Sequence, residues 1–151
     1  MQAICVMEPK YTSPIANNQS YMAFMPAVMV AAGIAILSLA EAGHMPSVQV
    51  NDKLVHGVMY LTLASTLMSA FVYIGRTRVW YYLLTCAVAT LYGGVMEALQ
   101  RFCTLTRSGN MGDLLADLAG AIAGVVIVAV AVRLTAHRRT GTTIRKTGRK
   151  I

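Results

Sequence analysis

Charged side chains are scarce in this sequence: 13% of residues are Asp, Glu, Lys or Arg, while 56% are hydrophobic. That balance excludes an ordinary soluble globule, in which about a quarter of residues are charged. Cysteine is scarce too. Of the three, Cys5 falls in an N-terminal tail, Cys86 inside an apolar stretch and Cys103 beyond the end of that stretch. They lie at three different depths of a membrane, so no disulfide framework is expected. A histidine pair at HExxH spacing is missing, and so is a serine elbow, so neither zinc-protease nor serine-hydrolase chemistry is legible in the residue order. No internal repeat or low-complexity tract is visible.

What is present is four apolar stretches, Met22–Ala40, Leu54–Ile74, Val79–Leu99 and Leu114–Val132. A helix rising 1.5 Å per residue needs about 20 apolar residues to cross about 30 Å of hydrocarbon, and each stretch is long enough. The expected fold is all-α: an integral membrane four-helix bundle over residues 22–134, with a flexible cytoplasmic tail at 1–21 and a basic disordered cytoplasmic tail at 135–151. Pro26 is expected in the first turn or so of the opening helix, where its missing N–H costs little. Met22–Ala40 reads as a retained span rather than a cleaved leader, because the 21 residues before it carry no net positive charge. The short link Gly75-Arg76-Thr77-Arg78 makes the second and third spans an antiparallel hairpin, and Trp80, Tyr81 and Tyr82 after it resemble an interfacial aromatic belt.

The formal charge of +7 resembles a nucleic-acid signal until it is located. Arg133, Arg138, Arg139, Arg145, Lys146, Arg149 and Lys150 all follow the last apolar stretch, and upstream of them six cations balance six anions. A basic tail beside a spanning helix is a topology determinant and a patch for anionic lipids, so membrane lipids are the expected partners and nucleic acid is not. Ten Lys and Arg residues flank one side of the expected bundle and three, Lys53, Arg101 and Arg107, the other. Both termini are therefore expected in the cytoplasm and the loops 41–53 and 100–113 outside.

Polar residues within the apolar stretches gather at three helix ends that share one side of the membrane: Asp52, Lys53 and His56; Glu97, Gln100 and Arg101; Asp113 and Asp117. An ionisable group at the centre of a span costs about 2.5–3.5 kcal/mol, so such groups face a cavity or a partner. Asp52 and Asp113 directly precede apolar runs and are well placed as N-caps. Lys53, His56 and Tyr60 share a helical face. Glu97 and Asp117 lie about one turn inside their spans, where capping does not explain them; they either pair with Arg101, Arg107, Lys53 or His56 as a structural network, or line a polar pocket. Carboxylates with imidazole suit several divalent ions, but no spacing among His56, Glu97, Asp113 and Asp117 demands one, and no metal is expected; cofactors are left open. Two small-and-polar stripes, Asp113, Ala116, Asp117, Gly120, Ala123 and Gly124 in the fourth span and Thr90, Gly93, Gly94, Glu97, Gln100 and Arg101 in the third, are expected to face each other and the second span.

At these residues the chain resembles the VanZ-like family of small bacterial membrane proteins. The matching pieces are Asp52-Lys53-x-x-His56-x-x-x-Tyr60, Glu97-x-x-Gln100-Arg101, and Arg107 followed by Asp113-x-x-x-Asp117-x-x-Gly120-x-x-x-Gly124. They cover about residues 51–130, over half the chain. The family pattern usually has Asn where this chain has Asp117, which adds a negative charge to the cluster. The resemblance implies a four-helix membrane protein of the cell envelope, linked through the family's namesake to teicoplanin resistance, and supplies no reaction.

The expected function is an outward-facing pocket that binds an envelope lipid, a lipid-linked wall precursor or a glycopeptide and modulates glycopeptide susceptibility. Arg101 and Arg107 would hold phosphate or carboxylate. Glu97 and His56 would position or exchange protons and are the candidate catalytic residues, and Gln100 and Asp113 would orient them. Asp52, Lys53, Tyr60 and Asp117 complete the expected binding set. A membrane enzyme acting on a lipid-linked substrate and a non-catalytic assembly subunit with a structural salt-bridge network are the alternatives.

Overall fold

In a computed structural model, residues 16–39, 52–103 and 111–147 are described, with side-chain surroundings for 20–39, 52–102 and 111–135. These residues form four helices, α1 (Ala16–Leu39), α2 (Asp52–Tyr73), α3 (Val79–Cys103) and α4 (Met111–Thr147), with no strand among them. All four are long and apolar enough to cross a membrane, over Ser20–Leu39, Asp52–Tyr73, Val79–Phe102 and Met111–Thr135. The chain is a multi-pass membrane protein built as a four-helix bundle.

The surface explains why water is the wrong solvent for it. Met25, Met29, Ile36, Leu91, Leu115 and Ile127 are exposed on the outward faces of the helices, an apolar area far beyond the isolated patches a soluble monomer tolerates. The interior is correspondingly thin: Ile34, Tyr60, Leu63, Ala64, Ala89, Met96, Ala121 and Val125 make one cluster. Tyr21, Tyr73 and Trp80 project outward where α1 begins, α2 ends and α3 begins, with Trp80 68% exposed. One end of the bundle thus carries an aromatic rim of the kind that sits at the headgroup level.

Two boundaries differ from the sequence expectation. α1 begins at Ala16, six residues before residue 22, which places Pro26 inside the helix instead of in its first turn. Ala16 to Ser20 contain no proline or glycine to stop the helix, and the carbonyl left without an i+4 donor by an internal proline can be satisfied locally in a membrane bundle. At the other end α4 continues to Thr147, through most of the segment expected to be disordered. Its 37 residues make a rod of about 55 Å at 1.5 Å per residue, so the helix outruns the hydrocarbon. No proline interrupts it, and Ala, Leu and Arg between Val132 and Arg139 favour the helical backbone.

Helix pairing follows the small residues. α2 and α4 share the most extensive interface, and among the described residues α1 packs on α2 and α3 but not on α4. A β-carbon on Gly120 would overlap the Gly57 carbonyl oxygen, and one on Gly124 would overlap the Leu61 carbonyl. The Gly120-x-x-x-Gly124 face therefore lies directly on the α2 backbone, the close approach that drives helix association in lipid. The α3 stripe meets α4 one layer along, at Gly93 against Asp117.

The hairpin between α2 and α3 closes with Gly75 at φ 76°, a left-handed position natural to glycine. Gly75 N donates to Val72 O and Arg76 N to Phe71 O, the paired bonds of a Schellman stop. The Arg76 guanidinium then lies 5.9 Å from the Tyr81 ring centroid.

Candidate functional site

Antiparallel connection brings the start of α2, the end of α3 and the start of α4 together, and with them the buried polar residues. His56 (3% exposed), Glu97 (9%), Gln100 (4%), Asp113 (7%) and Asp117 (0%) are all interior. His56 Nδ1 donates to Asp117 Oδ1 at 2.9 Å, and Glu97 Oε1 lies 3.9 Å from the same nitrogen. One imidazole from α2 is thereby held between carboxylates from α3 and α4. Asp52 and Asp113 also place carboxylate oxygens within 4.8 Å of a ring nitrogen of His56 and of each other.

Each placement has a local cause. Asp117 sits six residues into α4, and it fits against α3 because Gly93 carries no side chain: a β-carbon there would stand 2.5 Å from Asp117 Oδ2. Asp117 Oδ2 and the Tyr60 hydroxyl are buried and accept or donate no hydrogen bond. Tyr60, 1% exposed, is one turn beyond His56 and within electrostatic range of Asp117 and Glu97. Its ring tilts against Tyr92 with centroids 6.4 Å apart. The cluster is thus sealed on its inner side by two tyrosines.

On its outer side a cavity of about 320 Å³ opens between α3 and α4, walled by Gly94, Glu97, Ala98, Arg101, Met111 and Leu114. Glu97 belongs both to this cavity and to the histidine cluster. Arg101 is exposed and stands at the same wall. An acidic and a basic group facing one opening, with an oriented imidazole behind them, can bind a polar anion and can relay a proton.

His56, Tyr60, Glu97, Asp113 and Asp117 come together with Asp52 at the rim, and Arg101 reaches the cavity. Lys53 is exposed at the start of α2. Asp113 is the third residue of α4 rather than the residue before it, so it is buried in the first turn, where a negative charge still favours the helix N-terminus. Gln100 was expected to orient the ligand-binding groups, yet its Nε2 donates to the Ser38 carbonyl at 2.9 Å, which ties α3 to α1. Arg107 lies outside the described residues. Gly93 and Tyr92 were not singled out as site residues. Tyr92 donates to the Ala31 carbonyl at 2.7 Å, and a polar aromatic deep in an apolar span was the signal that could have found it.

Compared with protein-family models, with curated proteins and with solved structures, the chain matches none.

Proposed function

We propose that this chain is a VanZ-like protein of the bacterial cytoplasmic membrane, and that its polar pocket opens outward to bind the anionic portion of an envelope lipid, lipid-linked wall precursor or glycopeptide. Binding there alters susceptibility to teicoplanin-type antibiotics. The observation that carries the reading is the cavity of about 320 Å³ with Glu97 and Arg101 in its wall, backed by the buried His56–Asp117 pair. Arg101 supplies the charge-assisted contacts that phosphate or carboxylate takes. Glu97 selects against ligands with a second anion close by, or accepts a hydrogen bond from a hydroxyl or amine. The outward orientation rests on the charge asymmetry of the flanks, ten cations against three.

The test is direct. The purified chain in nanodiscs is offered lipid-linked wall precursor, anionic phospholipid and teicoplanin separately, and bound species are read by native mass spectrometry. Retention of one of these by the natural chain, reduced about tenfold or more in Arg101→Ala, supports the reading, because removing one charge-assisted contact is worth about 1.5–3 kcal/mol. Equal retention by the natural chain and Arg101→Ala, or none by either, overturns it. Turnover of the bound lipid would move the protein to the enzyme class. Labelling of Ser108→Cys, but not Gly148→Cys, from outside intact cells checks the orientation.

A further inference from the structure

We infer that His56, Glu97 and Asp117 form a binding site for one divalent first-row metal ion, of the Zn²⁺ or Mn²⁺ type, set between α2, α3 and α4. This goes beyond the ligand reading and does not rest on it, since an ion can be bound with no lipid present. It also departs from the sequence expectation, which found no metal-ligand spacing along the chain. The three residues come from three helices, 41 positions apart between His56 and Glu97 and 20 between Glu97 and Asp117, so no local motif could announce them.

Three observations support it. First, the donor atoms are spaced as ligands of a common ion: His56 Nδ1 is 2.9 Å from Asp117 Oδ1 and 3.9 Å from Glu97 Oε1, and one donor from each residue lies within 4.8 Å of the others. Metal–ligand bonds of about 2.0–2.2 Å place adjacent ligands about 2.9–3.5 Å apart, so His56 and Asp117 already stand at ligand spacing and Glu97 needs to draw in by about half an ångström to share the ion. Second, the composition of the site suits the charge. Two carboxylates with one imidazole carry net negative charge in a bundle surrounded by acyl chains, and a divalent cation brings them close to neutrality. Third, an independent buried polar group stands beside the site. The Tyr60 hydroxyl, 1% exposed and without a hydrogen-bond partner, lies within electrostatic range of Asp117 and Glu97. Standing near these carboxylates but outside hydrogen-bond distance of them, it is left to donate to water on the ion. Asp117 Oδ2, buried and without a partner as well, offers a second carboxylate oxygen.

Coordination asks for a simple exchange at His56. The ion takes the place of the hydrogen between Nδ1 and Asp117 Oδ1, and the ring remains neutral with its hydrogen on Nε2. Asp52 and Asp113 are the carboxylates within reach of the ring, the kind of outer partner that fixes a ligating imidazole. The mixed nitrogen and oxygen donor set favours transition ions over Ca²⁺ and Mg²⁺, which prefer oxygen throughout.

The probe is Co²⁺, with Zn²⁺ as competitor. The full chain is purified in detergent, stripped with chelator and titrated with Co²⁺ while visible absorption and melting temperature are followed. One Co²⁺ per chain, displaced by Zn²⁺ and accompanied by a rise in melting temperature, is the expected result. His56→Ala and Asp117→Asn abolish both signals, and Glu97→Gln weakens them at least tenfold. Asp117→Asn keeps a carbonyl to accept from Nδ1, so its fold is retained; Glu97→Gln serves if it is not. Absence of Co²⁺ binding by the natural chain, or binding undiminished in the folded variants, overturns the inference, the second outcome meaning ions held elsewhere on the chain. Loss of lipid binding in the preceding experiment leaves this result untouched.

Discussion

The two ends of the bundle each hold a cavity, and the larger is the less informative. At the end where α1 begins and α2 finishes, a space of about 660 Å³ is lined by Met22, Ala23, Pro26, Ser65, Thr66, Ser69, Ala70 and Tyr73. Two of its hydroxyls are occupied at home, Thr66 Oγ1 donating to the Thr62 and Leu63 carbonyls and Ser69 Oγ to the Ser65 carbonyl, while the Ser65 hydroxyl is buried without a partner. Among its described lining residues the one titratable group is a tyrosine that is itself exposed. At the opposite end a space of about half that volume, 320 Å³, adjoins Glu97, Arg101 and the buried histidine cluster. Volume marks where helices pack loosely, here beside an internal proline. Function is marked where polar groups are held in the interior against the cost of leaving water.

That contrast can be broken most severely at Asp117. Replacing it with Leu leaves His56 without its acceptor in the interior, and the expected loss is about 3–5 kcal/mol, the usual penalty for removing one partner of a buried pair. Asp117→Asn should lose far less. Thermal unfolding of the purified protein, followed by size-exclusion chromatography, separates the two; equal stability of Leu and Asn variants would mean that the pair does not organise this end of the bundle.

Next in size is the seam that holds both ends together. Gly120→Leu forces a side chain into the Gly57 backbone, and the expected destabilisation is about 3 kcal/mol or enough to abolish folding. A folded, normally stable Gly120→Leu protein would show that α2 and α4 do not meet there. Gln100→Leu removes the bond to the Ser38 carbonyl and should cost about 1 kcal/mol while loosening α1 from α3. Hydrogen exchange of the α1 amides reads that loosening.

The smallest effects are expected at the larger cavity. Thr66→Val and Ser69→Ala each remove a hydroxyl that only shares a carbonyl already bonded within its own helix, so stability should change by no more than about 0.5 kcal/mol. Retention of any ligand found for the natural chain should be unchanged. If either substitution instead removes ligand while Arg101→Ala does not, the two ends have been assigned the wrong way round.

Much of the fold was readable along the chain because lipid imposes a simple rule: about 20 apolar residues make a span. Composition and run length therefore disclosed four helices, and Gly75 with Arg76 disclosed the hairpin. Boundaries were less legible. The polar run Ala16 to Ser20 resembles a tail, yet it continues α1, and α4 outlasts its apolar segment because helix propensity does not end where hydrophobicity does. Polar residues near span ends also disclosed which side chains would gather, since His56, Glu97 and Asp117 had no comfortable place against acyl chains. Gln100 was ambiguous for the same reason. An amide in a span must find a partner, but whether that partner is a ligand or the Ser38 carbonyl depends on where α1 packs.

The linear order of residues by itself determined that this chain forms apolar rods whose carboxylate and imidazole groups cluster near one set of ends, because the energetics of crossing hydrocarbon are local to each segment. Tertiary structure alone decided that one imidazole would stand 2.9 Å from Asp117 and 3.9 Å from Glu97, with Gly93 making room for the carboxylate. Helix rotation and crossing set those distances through contacts between residues dozens of positions apart, and no property of a single segment encodes them.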